Sequence, residues 1–331
     1  MLRLPWFDYR APRSVAEAAA ILAGEGPQAM LVAGGTDLYP NMKRRHQTPK
    51  LLVSLRNIRE LRTLNGSFGA GLTLTEVVRS EKTPTALRQA AGQVATPHLQ
   101  NMGTLGGNLC LDTRCTYYNQ TYEWRKAIDF CLKKDGEVCW VATASKRCVA
   151  VSSTDTAPAL IALNAKVVLR SAGGEREIPV EALYNNDGMD YLSRRPDEIL
   201  TAVAIPQGGW KSTYWKLRRR GAFDFPLLGV AAAARMAGDV VEEARIALGA
   251  VASRPFLVEK ASQFLQGRRL DDETIAEAAK LTASRAKPMD NADSDLYWRK
   301  EVTAEFVACA LKELRGDDMR EARLRTARHV L

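Results

Sequence analysis

The strongest constraint on this chain is the clustering of five of its six cysteines between Asn108 and Asp155. Four of them follow one another at intervals of 16, 8 and 9 residues: Cys115, Cys131, Cys139 and Cys148. A fifth, Cys110, stands just ahead of them, three residues after the glycine pair Gly106-Gly107. Such a concentration of thiols predicts that this stretch contains a separate site built from cysteine side chains.

The cellular compartment decides how clustered thiols are interpreted. The short apolar N-terminus is interrupted by Asp8 and Arg10, and the best apolar run, residues 226–237, is broken by Arg235. We therefore expect a cytoplasmic protein with no membrane partner. In a reducing cytosol, metal ligation or redox chemistry is favoured over disulfides and unligated thiols. The sixth cysteine, Cys309, lies in an apolar helical stretch and is predicted to be a core residue.

Two glycine pairs, Gly34-Gly35 and Gly106-Gly107, mark candidate phosphate-binding turns. Without a Cβ, glycine allows backbone N–H groups to approach a diphosphate closely. Neither pair matches the dinucleotide fingerprint or the P-loop motif, so each alone indicates only a turn. The first follows a predicted strand, residues 29–32, and the second stands at the edge of the cysteine-rich stretch.

Predicted strands and helices divide the chain into two parts. A capping box, Ser14 with Glu17, opens a helix, and strands then alternate with helices through the first hundred residues. After residue 225 an alanine-rich strand, a turn at Gly238 and a second strand precede three predicted helices. This change of pattern places the main boundary near residues 220–224.

The net charge of +9 comes from 47 lysine and arginine residues against 38 acidic ones. Basic residues concentrate at positions 43–45, 216–220 and after Lys312. No aromatic residues interleave with them and no nucleic-acid motif occurs, so a nucleic-acid partner is not expected. The basic clusters are either solvated faces or a docking surface for an acidic protein or a phosphate-bearing ligand.

Three segments taken in order resemble the FAD-binding (medium) subunits of the xanthine oxidase/carbon monoxide dehydrogenase family. They are Ala33-Gly34-Gly35-Thr36-Asp37-Leu38, Asn101-Met102-Gly103-Thr104-Leu105-Gly106-Gly107-Asn108 and Thr154-Asp155-Thr156-Ala157-Pro158-Ala159-Leu160. Residues 198–206 and 214–218 continue the match. The resemblance implies an α+β fold: a two-subdomain FAD-binding domain of the vanillyl-alcohol-oxidase/PCMH type over residues 1–220, then a smaller α+β domain with an antiparallel sheet and helices over residues 224–331.

The resemblance also implies where FAD binds. In the family the two glycine turns hold the diphosphate, which assigns contacts to Leu31, Val32, Ala33, Gly34, Gly35, Thr36, Asp37, Leu38, Asn101, Thr104, Gly106, Gly107 and Asn108. It implies that Asp155 binds the ribose-adenine half, with Leu200 and Lys216 near the isoalloxazine. From the residues alone, two alternatives stay open: Asp155 as a helix N-cap or first-turn acid, and Lys216 as a surface strand residue.

The chain departs from the ordinary family pattern in the 47-residue interval from Asn108 to Asp155, which is much shorter in most members. One branch, the β subunits of 4-hydroxybenzoyl-CoA reductase, has a similar extension that binds an extra [4Fe–4S] cluster, and residues 108–120 resemble it. The resemblance implies an iron–sulfur insertion at about residues 109–152 with four ligands, Cys115, Cys131, Cys139 and Cys148, and leaves Cys110 as a buried thiol. From the residues alone, zinc and an iron–sulfur cluster both remain open, although no Cys-x-x-Cys pair typical of zinc occurs.

The function implied is that of an FAD and [4Fe–4S] electron-transfer subunit. By resemblance, its partners are a molybdopterin-binding large subunit and a [2Fe–2S] small subunit, assembled as a dimer of heterotrimers. The implied reaction converts 4-hydroxybenzoyl-CoA to benzoyl-CoA with ferredoxin as donor. None of the three histidines accompanies a nucleophile motif, so no catalytic residue is assigned.

Two alternatives stay open. One is the flavin subunit of a related molybdenum hydroxylase that oxidises another aromatic or N-heterocyclic substrate. The other is a zinc-stapled FAD-binding protein without electron transfer.

Overall fold

The computed structural model describes residues 3–64, 66–292 and 294–328. Three sheets and the helices packed on them make up this part of the chain. No helix in these ranges is both long and apolar enough to cross a bilayer. The predicted α+β class, with an antiparallel sheet and helices in the C-terminal part, is confirmed.

The N-terminal part is built on a small parallel sheet. Its strands stand in the order β1-β3-β2, with β1 (Asp8–Arg10), β2 (Ala29–Val32) and β3 (Leu51–Ser54). Two helices lie in the connections, α1 (Val15–Glu25) and α2 (Leu38–Lys43). The Ser14 hydroxyl accepts a hydrogen bond from the Glu17 N–H at 3.1 Å, which confirms the predicted start of α1. The first glycine turn follows β2 at the carboxyl edge of this sheet, the edge where α/β sheets bind ligands.

An antiparallel sheet forms the second layer. Its order is β4-β7-β5-β6, with β4 (Phe68–Gly69), β5 (Lys166–Ser171), β6 (Gly174–Pro179) and β7 (Ile199–Ala204). The segments between its strands hold six helices: α3 (Leu74–Arg79), α4 (Thr85–Gly92), α5 (Pro97–Gln100), α6 (Leu105–Leu109), α7 (Tyr122–Ala127) and α8 (Thr156–Ala162). Helix α8 is buried along its whole length at the centre of the largest core cluster. Residues 59–62 form a 3₁₀ helix.

The insertion, residues 109–152, has little regular structure among its described residues beyond α7. Its two ends are joined, because the Arg114 N–H donates to the Val151 carbonyl at 2.8 Å and the Val151 N–H donates back at 2.7 Å. The Thr116 N–H donates to the Asn291 carbonyl at 3.1 Å, which ties the insertion to the C-terminal part. The insertion is therefore an anchored lobe rather than a loose loop.

The C-terminal part is an antiparallel sheet covered by helices. The order is β11-β10-β9-β8, with β8 (Lys211–Leu217), β9 (Leu228–Ala237), β10 (Val240–Gly249) and β11 (Phe256–Leu257). The helices are α9 (Glu259–Leu265), α10 (Asp272–Ala283), α11 (Leu296–Arg315) and α12 (Arg320–Arg328).

Strand β8 lies before the expected boundary at residues 220–224, yet it pairs with β9 along its whole length. Trp215 of β8 also packs edge-on against Phe306 of α11, with ring centroids 6.3 Å apart. Ladder hydrogen bonds and packing therefore join residues 211–217 to the C-terminal part, while the Tyr214 N–H also donates to the Gln89 side chain of α4 at 2.7 Å.

Candidate cofactor cavity and cysteine pocket

A cavity of about 640 Å³ is lined by residues of the N-terminal sheet, of the second layer and of the segment between β8 and β9. Most residues predicted to contact FAD line it: Leu31, Val32, Ala33, Gly34, Gly35, Thr36, Asp37, Leu38, Thr104, Gly106, Gly107, Asn108, Asp155 and Leu200. Two predicted residues, Asn101 and Lys216, are not among its lining residues. The Asn101 carboxamide oxygen instead accepts a hydrogen bond from the Thr75 hydroxyl at 2.7 Å. The cavity thus brings together both glycine turns, which are far apart in sequence.

The first glycine turn offers a row of free backbone donors. Within the described residues, the N–H groups from Gly34 through Asp37 donate to no protein acceptor. Gly35 has a φ of +70°, a conformation that favours glycine. A Cβ on Gly34 would overlap the carbonyl oxygen of Met102, so the two glycine-bearing segments approach each other only because Gly34 has no side chain. Consecutive free N–H groups in a turn of this kind form an anion-binding concavity.

The second glycine turn lines the cavity, but its backbone N–H groups donate to acceptors within the protein. Thr104 caps α6, and its hydroxyl accepts from the Gly107 N–H at 3.0 Å. The Gly106 N–H donates to the Ala70 carbonyl at 2.8 Å, and the Leu105 N–H donates to the Leu72 carbonyl at 2.9 Å. These donors are therefore already used within the protein. Gly106 serves packing, because a Cβ there would lie 2.8 Å from the Ala70 Cβ.

Asn108 joins the two flanks of the insertion. Its buried carboxamide oxygen accepts from the Thr154 hydroxyl at 2.9 Å, from the Thr156 N–H at 3.1 Å and from the Thr156 hydroxyl at 2.7 Å. The segments before and after the insertion are therefore held together at the cavity wall. The insertion lies beside the cavity and does not interrupt this wall.

Asp155 and Lys216 form one buried ion pair. The Lys216 ammonium lies 3.0 Å from the Asp155 carboxylate, and the Tyr214 hydroxyl donates to the other carboxylate oxygen at 2.8 Å. Burial raises the pKa of Asp155 and lowers that of Lys216, with their mutual attraction opposing both shifts. Asp155 lines the cavity whereas Lys216 is not among its lining residues, and the predicted roles of the two residues toward the two ends of FAD stay predictions.

Arg114 is a cavity residue that the motifs did not identify. Its buried guanidinium pairs with the Asp37 carboxylate, donates to the Asn41 carboxamide oxygen at 3.0 Å and lies 4.8 Å from the centre of the Phe225 ring. Burial lowers the pKa of Arg114 to about 10. The only sequence signal was its place next to Cys115, which does not indicate a role in the cavity.

The four cysteines at positions 115, 131, 139 and 148 line one small pocket, each between 4% and 7% exposed. Three aromatic residues, Tyr117, Tyr118 and Trp140, and Lys133 complete much of its wall. No histidine or carboxylate belongs to this lining, so the donor set consists of thiols alone. Burial raises the pKa of the Cys148 thiol to about 12; Lys133 opposes this rise, while Cys139 and Cys115 add to it.

The spacing of the thiols bears on the kind of metal centre. In the part of the chain that the structure describes, no three histidine, cysteine or acidic side chains are close enough together to hold a single metal ion. A tetrahedral zinc site needs its sulfurs within about 2.3 Å of one ion. A cluster of several irons accepts thiolates that are farther apart, because each sulfur binds a different iron.

The remaining cysteines lie elsewhere. Cys110 lines the large cavity and not the cysteine pocket, and burial raises the pKa of its thiol. Cys309, predicted as a core residue, is partly buried and packs against the hydrophobic core of the C-terminal part.

Comparison with known proteins assigns both parts of the chain. Residues 5–208 match the model of the FAD binding domain in molybdopterin dehydrogenase, and residues 212–314 match the CO dehydrogenase flavoprotein C-terminal domain. The glyceraldehyde dehydrogenase medium chain of Sulfolobus acidocaldarius is 27% identical over 94% of this chain and 99% of its own length. The carbon monoxide dehydrogenase medium chain of Hydrogenophaga pseudoflava is 28% identical, covering 93% and 96%.

Solved structures agree with this assignment. Reconstituted CO dehydrogenase from Oligotropha carboxidovorans contains a chain that superposes with a TM-score of 0.77 at 25% identity, covering 97% of this chain and 99% of that one. The identities and coverages of these relatives are similar, so they single out no particular member of the family. The predicted similarity to 4-hydroxybenzoyl-CoA reductase stays a prediction. The chain belongs to the FAD-binding medium subunits of the molybdopterin hydroxylase family, the group that includes carbon monoxide and xanthine dehydrogenases.

Proposed function

We propose that this chain is the electron-transfer subunit of a molybdenum hydroxylase-type complex, holding FAD in the large cavity and an iron–sulfur cluster in the cysteine pocket. The observation that carries the proposal is the pocket of four buried thiols directly beside the cavity of a flavin-binding fold. FAD, when bound, supplies exchange of one or two electrons, and the protein supplies position and electrostatics. No side chain of this subunit is proposed to act on the substrate.

The cavity residues support specific roles toward FAD. The free N–H groups of the first glycine turn are suited to the diphosphate. Leu31 and Leu200 line the same cavity and offer apolar surface for a ring system. Asp155 and Lys216 satisfy each other, so their proposed role is to hold β8 against the cavity wall. Arg114 fixes the carboxylate of Asp37 at the end of the glycine turn.

The cysteine pocket supports a cluster better than zinc. Four thiols suit an iron–sulfur cluster as well as zinc, but within the described residues they are not grouped closely enough for a single ion. The proposed ligands are those expected from the sequence: Cys115, Cys131, Cys139 and Cys148. Metal and sulfide analysis of the full-length chain, purified anaerobically, tests this assignment. We expect about four irons and four acid-labile sulfides per FAD; one zinc without sulfide would refute the cluster.

A matched pair of variants tests the ligand set. Cys131→Ser is expected to lose iron while keeping FAD, because Cys131 lines the pocket but not the cavity. Cys309→Ser is the control, since this cysteine packs in the C-terminal part, and it should keep both. Retention of iron by Cys131→Ser would show that the ligand set is wrong.

For the substrate, oxidation is the better-supported proposal. The relatives named above are dehydrogenases, which favours a complex that oxidises its substrate and passes electrons outward through FAD. Reductive dehydroxylation of 4-hydroxybenzoyl-CoA, with ferredoxin as donor, is the second candidate and rests on the cysteine-bearing insertion. In either case we propose a molybdopterin-binding large subunit and a [2Fe–2S] small subunit as partners, in a cytoplasmic dimer of heterotrimers.

Flavin spectra of the assembled complex distinguish the two directions. In an oxidative enzyme, an aromatic or N-heterocyclic substrate added without any other reductant bleaches the flavin. In the reductive enzyme, 4-hydroxybenzoyl-CoA reoxidises flavin that has been reduced beforehand through ferredoxin.

A further inference from the structure

A buried lysine lies between the cysteine pocket and the cavity. The Lys133 side chain is 6% exposed and lines the pocket with the four cysteines. Its ammonium donates to the Asp112 carboxylate at 2.9 Å, to the Thr113 hydroxyl at 2.8 Å and to the Gly188 carbonyl at 2.6 Å. All three ammonium protons are therefore used, so the positive charge has a fixed position.

The partner of this lysine belongs to the other site. Asp112 lines the large cavity, although its side chain is only 4% exposed. Its second carboxylate oxygen accepts from the Tyr118 hydroxyl at 2.9 Å and from the Gln47 amide at 3.3 Å. Tyr118 lines the cysteine pocket and Gln47 lines the cavity. One hydrogen-bonded unit therefore reaches both sites.

The two charges of this unit do not act equally on the pocket. Lys133 lines the pocket itself, whereas Asp112 lies on the cavity side of the wall. A buried cation close to a redox centre favours the more negative, reduced form, because little water is present to screen it.

We propose that Lys133, oriented by Asp112, is a positioning residue that sets the reduction potential of the centre in the cysteine pocket relative to that of the cofactor in the cavity. The inference rests on the proposed function, since it requires a redox centre at the four cysteines. The redox change concerned is the gain of one electron by that centre, with one equivalent of dithionite-derived reductant oxidised in the titration. Lys133 makes this gain more favourable, and Asp112 makes it less favourable.

Opposite substitutions separate this role from a merely structural one. The full-length chain is purified anaerobically, and the midpoint potential of its iron–sulfur signal is measured by EPR during a dithionite titration at one pH. Lys133→Met is expected to shift the midpoint to more negative values, and Asp112→Asn to less negative values. Lys133→Arg, which keeps the charge, should restore most of the wild-type potential. The matched control is Lys134→Met, because Lys134 is adjacent, partly exposed and paired with Asp135 rather than lining the pocket.

Each outcome decides a separate point. A wild-type chain without any iron–sulfur signal overturns the proposed cluster, and with it the premise of the inference. A wild-type signal whose midpoint is the same in Lys133→Met as in Lys134→Met overturns the inference alone. If Lys133→Met does not assemble a cluster, the Asp112→Asn variant tests the inference instead. A midpoint potential of Asp112→Asn that equals the wild-type value or is more negative contradicts the electrostatic role. Shifts of opposite sign in Lys133→Met and Asp112→Asn support it.

Discussion

The buried pair of Asp155 and Lys216 gives the sharpest test of how the cavity wall is held. The side chains are 3% and 0% exposed, and their charged groups are 3.0 Å apart. The Lys216 ammonium also donates to the Gln93 carbonyl at 2.9 Å, so β8 is tied to the end of α4 as well. The perturbations are Lys216→Met, Asp155→Asn and the double variant that carries both.

The magnitude follows from burial. Removing one partner of a buried ion pair leaves an uncompensated charge and costs about 3–5 kcal/mol. With an unfolding entropy of about 2.1 cal/mol/K per residue over the 331 residues, that loss lowers Tm by about 4–7 °C. The double variant removes both charges, so we expect it to lose less than the sum of the two single variants.

The assay is thermal unfolding by circular dichroism of protein stripped of FAD, because bound ligand would raise Tm by mass action. Lys211→Met is the control, since Lys211 lies on the same strand but is exposed. The reasoning is refuted if either single variant melts within 1 °C of the control or if the two losses simply add.

Two further predictions concern the glycine turn and pH. Gly34→Ala should abolish FAD retention, measured as flavin absorbance per chain, because its Cβ would overlap the Met102 carbonyl; Gly173→Ala, whose nearest neighbour would be 3.7 Å away, should retain FAD. Burial lowers the pKa of His46 from 6.5 to about 4, so the unfolded chain binds the proton more readily between these values and stability falls as the pH drops through this window. Between pH 7.5 and 5 this loss is about 2 kcal/mol. His46→Phe, which keeps an aromatic ring on Tyr118, should reduce the pH dependence of the urea midpoint, and an unchanged dependence would contradict the assignment.

Much of the fold followed from local sequence signals. The Ser14 cap, the strand before the first glycine turn and the turn at Gly238 between two strands depend on residues near one another in the chain, and local rules describe them. The domain boundary near residue 220 could not be derived from local signals in the same way. Nothing in the local pattern of β8 tells which sheet it joins, and its pairing with β9 is a tertiary choice.

The candidate site shows the same division. Residue type and spacing identified the glycine turns and the four thiols, because phosphate and metal binding depend on those chemical groups. They did not reveal that the Leu105 and Gly106 N–H groups of the second turn are already used, since their acceptors, the Leu72 and Ala70 carbonyls, lie in a separate segment.

By itself, then, the sequence determined the chemical groups available to this protein: two glycine turns, a set of clustered cysteines, and the strands and helices that carry them. Only the tertiary structure decided which groups meet. The pairing of Asp155 with Lys216 joins residues 61 apart, that of Arg114 with Asp37 joins residues 77 apart, and Lys133 reaches Asp112 across the wall between the two sites. Such contacts have no period or motif in the sequence, because they arise when separate elements pack and buried charges must find partners.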